Sequence, residues 1–184
     1  MTKRTTDPRS PAARPAARRG PTDGLTAGDW GLLLLRLTFG LLMAGHGAQK
    51  LFGLFGGPGL TATGKGFAAL GYHPGKLFAV IGCLSELLGG LGLAVGLLTP
   101  LAAAALIGVM INAMVTVTGA HGLWETKGGV EYNVSIAVVA LAVAALGPGR
   151  LALDRFFPWG AGGWPEAAVA LGLGGVAAAI TLSL

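Results

Sequence analysis

Charged residues are scarce in this sequence, and their scarcity excludes a soluble globular protein. Only 11% of the 184 residues are charged and 53% are hydrophobic, whereas soluble domains carry roughly 25% charged residues. A chain this apolar cannot cover its surface with polar groups in water. We therefore expect an integral membrane protein.

Cysteine is scarcer still, because Cys83 is the one cysteine of the chain and lies within an apolar run. Disulfide frameworks, CxxC redox pairs and thiolate metal cages are thereby excluded within one chain. Thiol oxidases that reduce quinones on four-helix membrane bundles need paired cysteines, so that chemistry is excluded too. In apolar surroundings we expect Cys83 to be an inert thiol.

Histidines are also few, with three on separate segments of the chain. None of them forms an HxxxH or ExxH pair, the spacing that places two ligands on one face of a helix. The sequence therefore predicts no metal site and no haem.

The basic residues that the chain does have concentrate ahead of the first apolar run. Residues 1–29 are rich in Pro, Ala, Arg, Thr and Gly and show no apolar periodicity, which is typical of a disordered tail. Basic residues beside a span fix its orientation and attract anionic lipid headgroups. No basic helix or aromatic stacking platform accompanies the tail, so we expect no nucleic-acid partner.

Five apolar runs predict transmembrane helices. They lie at about residues 30–52, 77–98, 101–119, 130–147 and 167–184, and about 20 helical residues cross the hydrocarbon core. The last two runs only just reach this length, so the fifth either spans the membrane or lies re-entrant or along its surface. Small residues on the spans favour close helix packing.

The predicted fold class is therefore all-α, a polytopic transmembrane four-helix bundle with a fifth C-terminal transmembrane helix. We divide the chain into a basic cytoplasmic tail (1–29), a four-helix membrane domain (30–155), and a linker with the fifth helix (156–184). Arg150 and Arg155 follow the fourth span, on the side of the tail. Because arginine and lysine favour the cytoplasmic side, the N-terminus is predicted to be cytoplasmic and the protein to lie in a bacterial plasma membrane.

Polar residues inside the spans form two predicted tiers. In the first, Arg36, Glu86 and Asn112 approach one layer on three helices. A helical rise of 1.5 Å per residue puts Glu86 level with about residue 42 of the first helix. Arg36 either snorkels to the cytoplasmic surface or pairs with Glu86, whose side chain is too short to reach either surface.

The second tier gathers on the outer side. His46 and Lys50 are four residues apart and share a helix face. Lys50 is either an interfacial anchor or a site residue, and His46 can exchange a proton with Glu131 or Tyr132. Neither tier is expected to use the fifth apolar run.

These residues together resemble the DoxX family of small bacterial membrane proteins over about residues 31–155. The motifs that carry the resemblance are Arg36 with Gly40, residues 46–53 (HGAQKLFG), residues 86–90 (ELLGG), Gly96 and Thr99, Trp124 and Glu131, and residues 147–150 (GPGR) followed by Asp154. Ala152 stands where the family often has Ser, and the fifth run lies beyond the usual core.

The resemblance implies a four-helix membrane core. It also implies kinship with the small subunit of thiosulfate:quinone oxidoreductase, and with members linked to superoxide dismutase and a sulfurtransferase in thiol-stress defence. Arg36, His46, Lys50, Glu86 and Glu131 match the polar residues of the family.

Three functions are compatible with these residues and with the resemblance. The first is a membrane subunit of a quinone-linked or thiol-stress redox system, with a quinone as cofactor. The second is a non-enzymatic anchor or assembly factor for soluble redox enzymes, and the third is a carrier of protons or a small solute. Expected partners are membrane lipids, soluble redox enzymes and a second copy of the chain. The predicted site consists of catalytic Glu86, His46 and Arg36, with Lys50, Glu131, Asn112 and Trp124 binding the substrate or cofactor.

Overall fold

Six α-helices form the described part of the chain. The computed structural model describes residues 24–157 and 162–184, and the predicted disorder of the tail lies largely outside them. The helices are α1 (Ala27–Phe52), α2 (Gly59–Ala69), α3 (Gly75–Val95), α4 (Thr99–Ala113), α5 (Glu131–Leu146) and α6 (Trp164–Ser183). No β-strand occurs in the described ranges, so the all-α prediction is confirmed.

Four of these helices are long and apolar enough to cross a membrane. They are α1, α3, α6, and α4 together with its continuation to His121. That continuation is π-helical over Met114–Thr118 and then forms a short 3-10 turn. With 16 residues α5 is shorter, but it is apolar from Ile136 to its end at Leu146. The polytopic bundle predicted from the apolar runs is confirmed.

The ends of the helices follow from local chemistry. At the start of α1, Thr26 and Asp29 form a capping box, in which each side chain accepts a hydrogen bond from the other residue's backbone N–H. This arrangement satisfies N–H groups that the first helical turn leaves free. At their other ends, α1 and α3 stop at Gly53 and Gly96, which adopt left-handed φ angles of 71° and 67°. Glycine is the residue that reaches this region without strain.

No helix is predicted between the first two spans, whereas the structure has α2 there, packed on α3. Pro58 precedes α2 and Gly71 follows its end with a φ of 97°. Only a few large apolar residues occur in α2, so its hydrophobic pattern is too weak to predict an 11-residue helix.

Glycines bring α1 and α3 into backbone contact. A Cβ at Gly40 would lie 2.6 Å from the carbonyl oxygen of Gly90, and one at Gly47 would lie 2.6 Å from the backbone nitrogen of Leu87. Real side chains do not tolerate such distances, so the two helices can cross this closely only where Cβ atoms are absent. The small residues of the spans therefore act as predicted for membrane helices.

The core is centred on α4, which packs against α3, α5 and α6. Gly108 of α4 and Gly174 of α6 lie at their crossing, where a Cβ on Gly174 would be 2.8 Å from the carbonyl oxygen of Ala104. The helix beyond the predicted four-helix core is thus an integral part of the bundle. The buried apolar residues of this core cluster are Met43, Leu93, Ala102, Ala103, Leu106, Ile107, Met110, Ile136, Ala140, Val143, Ala144 and Ala170.

Candidate functional site

Arg36 is buried at one end of the bundle, where α3 turns into α4. Its side chain is only 1% exposed. Its guanidinium donates through Nη1 to the carbonyl oxygen of Pro148, and through Nη2 to that of Leu151 at 2.6 Å. It packs against Gly96, whose missing side chain leaves room for it. The prediction that Arg36 either pairs with Glu86 or reaches the surface is therefore wrong.

Asp154 completes this cluster. Its carboxylate is fully buried and accepts hydrogen bonds from the backbone N–H groups of Leu98 and Thr99, both at 2.8 Å. Those groups belong to the start of α4, where the helix dipole favours a negative charge. Asp154 also donates its own backbone N–H to Gly96. Arg36 and Asp154 together hold the segment after α5 against the α3–α4 turn, which is a structural role.

A second buried charge lies nearer the opposite end of the bundle. The Nζ of Lys50, in the last turn of α1, is 2.5 Å from Oε1 of Glu86 on α3. The lysine side chain is 36% exposed and the glutamate side chain 4%. Because Gly47 touches both Cys83 and Leu87, Glu86 lies level with about residue 47, not 42 as predicted. Lys50 is close enough for its long stem to reach the carboxylate, and Arg36 is not.

This ion pair borders a cavity of about 210 Å³. The cavity lies between α2, α3, α4 and α6, and Asn112 of α4 lines it together with Lys50 and Glu86. The rest of the lining is mostly apolar, and comprises Phe67, Leu70, Tyr72, Phe78, Ile81, Gly82, Ser85, Ala104, Ala105, Gly108, Val109, Ala113, Thr116, Val117, Ala177, Ala178 and Thr181. Three of the predicted site residues are thus brought to one cavity.

Aromatic rings form one wall of the cavity. The ring centroid of Tyr72 lies 5.4 Å from that of Phe67 and 5.3 Å from that of Phe78, in tilted arrangements. Aromatic pairs prefer such offset geometries, which fix the orientation of each ring. The wall is therefore a rigid surface against which another flat ring can pack.

A hydrogen-bonded triad lies in the same lining. Oδ1 of Asn112 accepts a hydrogen bond from the hydroxyl of Tyr72 at 2.9 Å and another from that of Thr181 at 3.0 Å. Its amide nitrogen donates to the carbonyl oxygen of Gly108. Because Thr181 belongs to α6, the prediction that the polar tiers do not use the fifth apolar run is wrong.

The cavity opens towards the lipid-facing surface of the bundle. Two of its lining residues, Ile81 and Val117, are 44% and 47% exposed. Large apolar side chains exposed on membrane helices face hydrocarbon. An apolar ligand could therefore enter sideways from the bilayer.

One buried polar atom of the cavity residues has no partner among the described residues. Oε2 of Glu86 is buried and accepts no hydrogen bond from any residue in 24–157 or 162–184. Buried polar atoms are nearly always satisfied, so this oxygen is the atom of the site most in need of a donor.

The other predicted site residues lie elsewhere. His46 makes an edge-to-face contact with Tyr132 at 5.8 Å between ring centroids, and the hydroxyl of Tyr132 donates to the sulfur of Met43. Glu131 accepts a hydrogen bond from the backbone N–H of Glu125 and is exposed, and Trp124 is 59% exposed. None of these residues lines the cavity.

Sequence reasoning missed Tyr72, Phe67 and Thr181 as site residues. Tyr72 and Phe67 lie on or beside α2, which was not predicted. Thr181 and Ser183 are the polar residues of the fifth apolar run, and their presence was the one available signal that α6 contributes a polar contact.

The fold and these two polar clusters define a multi-pass membrane protein, an all-α bundle with a half-buried ion pair beside an apolar cavity. Its residues 31–119 match the model of the DoxX family. Over these residues the match confirms the DoxX resemblance that the motifs predicted. The match covers Lys50, Glu86 and Asn112, but ends before Glu131 and Asp154. No curated protein and no solved structure gives a significant match.

Proposed function

We propose that this chain is a membrane component of a quinone-linked redox system, and that the cavity beside Lys50 and Glu86 binds the ring of a quinone. The observation that carries the proposal is the cavity itself. It combines an aromatic wall, a half-buried ion pair and a lipid-facing opening in one place. Pockets for small organic ligands are mostly apolar and have a few well-placed polar groups.

The residues present fit a quinone ring. Tyr72, Phe67 and Phe78 offer flat apolar faces, and the ammonium group of Lys50 has N–H donors beyond the one given to Glu86. Drug-sized ligands fill about 300–1,000 Å³, so a cavity of about 210 Å³ has room for the ring alone. The isoprenoid chain would leave through the opening near Ile81 and Val117 and remain in lipid.

The chemistry that a bound quinone supplies is the uptake of two electrons and two protons. Lys50 would orient the ring by donating a hydrogen bond to a carbonyl oxygen. With its side chain 36% exposed beside a glutamate that is 4% exposed, it would also pass protons from the surface to the buried carboxylate. The electrons would come from a separate donor, for which the DoxX resemblance implies thiosulfate or a thiol oxidised by a partner protein.

The ion pair also favours a second candidate, a proton carrier. Charged residues inside membrane helices often mark proton or ion paths, and Lys50 and Glu86 already span part of the depth of the bundle. Proteoliposomes would distinguish the two, since a carrier predicts a proton flux that Glu86→Gln abolishes in the absence of any quinone. The anchor function rests on the basic tail, and pull-down of soluble redox enzymes from native membranes tests it.

A ligand titration tests the quinone proposal. The full chain, purified in detergent, would be titrated with a decyl-substituted benzoquinone by calorimetry. Ser85 lines the cavity, so Ser85→Phe should fill it and weaken binding at least about tenfold. Ser135 is exposed on α5, so the matched variant Ser135→Phe should bind as the wild type does. Absence of binding by the wild type, or equal binding by both variants, would refute the proposal.

A further inference from the structure

We infer that the segment after α5 binds the headgroup of an anionic phospholipid through Arg150 and Arg155. The exposed side chains of residues 146–157, which include both arginines, are called the arginine patch below. No residue of the patch lines the cavity beside Lys50 and Glu86. The inference therefore concerns a separate site and does not depend on the proposed function.

Both guanidinium groups of the patch have hydrogen-bond donors to spare. Nη1 of Arg150 donates to the carbonyl oxygen of Gly24 at 3.2 Å, and Nη1 of Arg155 donates to that of Arg150 at 3.1 Å. A guanidinium has more N–H donors than one acceptor can occupy, and neither group has a second acceptor in residues 24–157 and 162–184. The contact between them makes the two arginines neighbours on the surface.

Acidic side chains leave the patch with a net positive charge. Within the described chain, no carboxylate lies within salt-bridge distance of either arginine. Asp154 is buried and accepts its hydrogen bonds from the start of α4. Asp29 attracts Arg150, but its carboxylate already accepts hydrogen bonds from the backbone N–H and the hydroxyl of Thr26. The patch can therefore take up a further anion.

The patch lies where the headgroup layer of a membrane is expected. Gly24, which Arg150 contacts, lies just before α1, and α5 ends at Leu146. Trp30, in the first turn of α1, is exposed, and tryptophan on a membrane helix prefers the interface with water. Arginine side chains near helix ends extend to that interface while their stems cover apolar surface. A phosphate group of the bilayer is thus within reach of both arginines.

Apolar side chains make the patch suited to a lipid rather than to a soluble anion. The large ones that are exposed there are Leu146, Leu153, Phe156 and Phe157. The ring centroid of Phe156 lies 4.7 Å from Cζ of Arg155, so charge and apolar surface adjoin. Guanidinium groups bind phosphate oxygens in a bidentate manner, and basic sites beside membrane helices bind anionic headgroups. A phospholipid covers both parts of the patch, whereas a free phosphate ion covers the charge alone.

A bound headgroup would brace the segment after α5. Arg36 and Asp154 hold this segment on its buried side, and a phosphate on Arg150 and Arg155 would hold it on its exposed side. The lipid composition of the membrane would thereby contribute to the stability of this end of the bundle.

Native mass spectrometry of the full chain tests the inference. The wild type in detergent would be titrated with phosphatidylglycerol and with phosphatidylcholine of the same acyl chains. We expect the first phosphatidylglycerol to bind at least about tenfold more tightly than the first phosphatidylcholine. Equal affinities would overturn the inference. Inorganic phosphate at the concentration of the lipid should not displace phosphatidylglycerol, and displacement would show that the patch binds the ion alone.

Two charge-matched double variants locate the site. Arg150→Gln with Arg155→Gln removes both cations of the patch and should abolish the preference for phosphatidylglycerol. Lys65→Gln with Lys127→Gln removes two exposed cations near the opposite end of the bundle and should keep the preference. Loss of the preference in both double variants would reduce it to an effect of net charge, and its retention in the arginine variant would assign it to the basic tail. Either result would overturn the inference.

Photolabelling of the wild type gives an answer even if the arginine variant does not fold. A phosphatidylglycerol with a photoreactive headgroup should label residues 146–157, and phosphatidylcholine in excess should not compete with it. Absence of the label from residues 146–157, or its loss on addition of phosphatidylcholine, would contradict a site for anionic headgroups.

Discussion

Gly47→Ala should destabilise the bundle by forcing α1 and α3 apart. The added Cβ would lie 2.6 Å from the backbone nitrogen of Leu87 and 2.7 Å from the carbonyl oxygen of Cys83. Unstrained contacts between heavy atoms need about 3.5 Å, so the two backbones would have to separate by about 1 Å. Neither contact is with a flexible side chain that could move aside. Overpacking of this kind costs typically about 1–3 kcal/mol.

Gly45→Ala is the matched control. A Cβ there meets no heavy atom within 4 Å, and alanine is the better helix former by up to about 1 kcal/mol. Reversible unfolding in mixed micelles, followed by circular dichroism, would measure both variants against the wild type. We expect Gly47→Ala to lower the free energy of unfolding and Gly45→Ala to leave it unchanged or raise it. Equal stability of the two variants would refute the close crossing of α1 and α3.

Three further predictions concern the buried charges and the topology. Lys50→Met leaves Glu86 buried without its cation, a change that costs about 3 kcal/mol of unfolding free energy. The double variant Lys50→Met with Glu86→Leu should recover most of this loss in the same unfolding assay. No recovery would argue against the ion pair. Asp154→Ala removes two charge-assisted hydrogen bonds from the start of α4, each of which contributes about 1.5–3 kcal/mol. Asp154→Asn keeps one acceptor and should lose less stability. Equal losses of stability would contradict the capping role. Alkaline phosphatase fused after Leu184 should be active, and a fluorescent protein fused there should be dark. The reason is that the predicted cytoplasmic N-terminus and five spans put the C-terminus outside. The reverse result would overturn that orientation.

The positions of the spans could be predicted from the sequence because apolar length is a one-dimensional property. The rotation and register of the helices could not. Depth alone suggested that Arg36 lies near Glu86, but the register of α1 and α3 is set where Gly40 and Gly47 touch the facing backbone. That contact shifts Glu86 by more than one helical turn away from Arg36. Hydropathy carries no information about such a shift.

The candidate site was predicted in part. Lys50, Glu86 and Asn112 were identified because polar residues are costly in a bilayer and therefore conspicuous there. The aromatic wall was not, since Phe67 and Tyr72 are ordinary residues until α2 folds onto α3. His46 was predicted as a site residue because its imidazole can exchange protons. The structure places it against α5, because residues four apart on a helix need not contact the same neighbouring helix.

The short length of α5 has a consequence for the surrounding lipid. Its 16 residues extend about 24 Å, less than the roughly 30 Å of a typical hydrocarbon core. The chain makes up the difference with the non-helical segment 147–152 and the 3-10 helix Leu153–Phe156. Both are tolerated at that depth because Arg36 and the start of α4 satisfy their polar groups. The apolar surface that α5 presents to the bilayer is therefore shorter along the membrane normal than that of α1. Lipids with shorter acyl chains match that surface better, so membrane thickness acts on the segment after α5, which Arg36 and Asp154 hold against the α3–α4 turn.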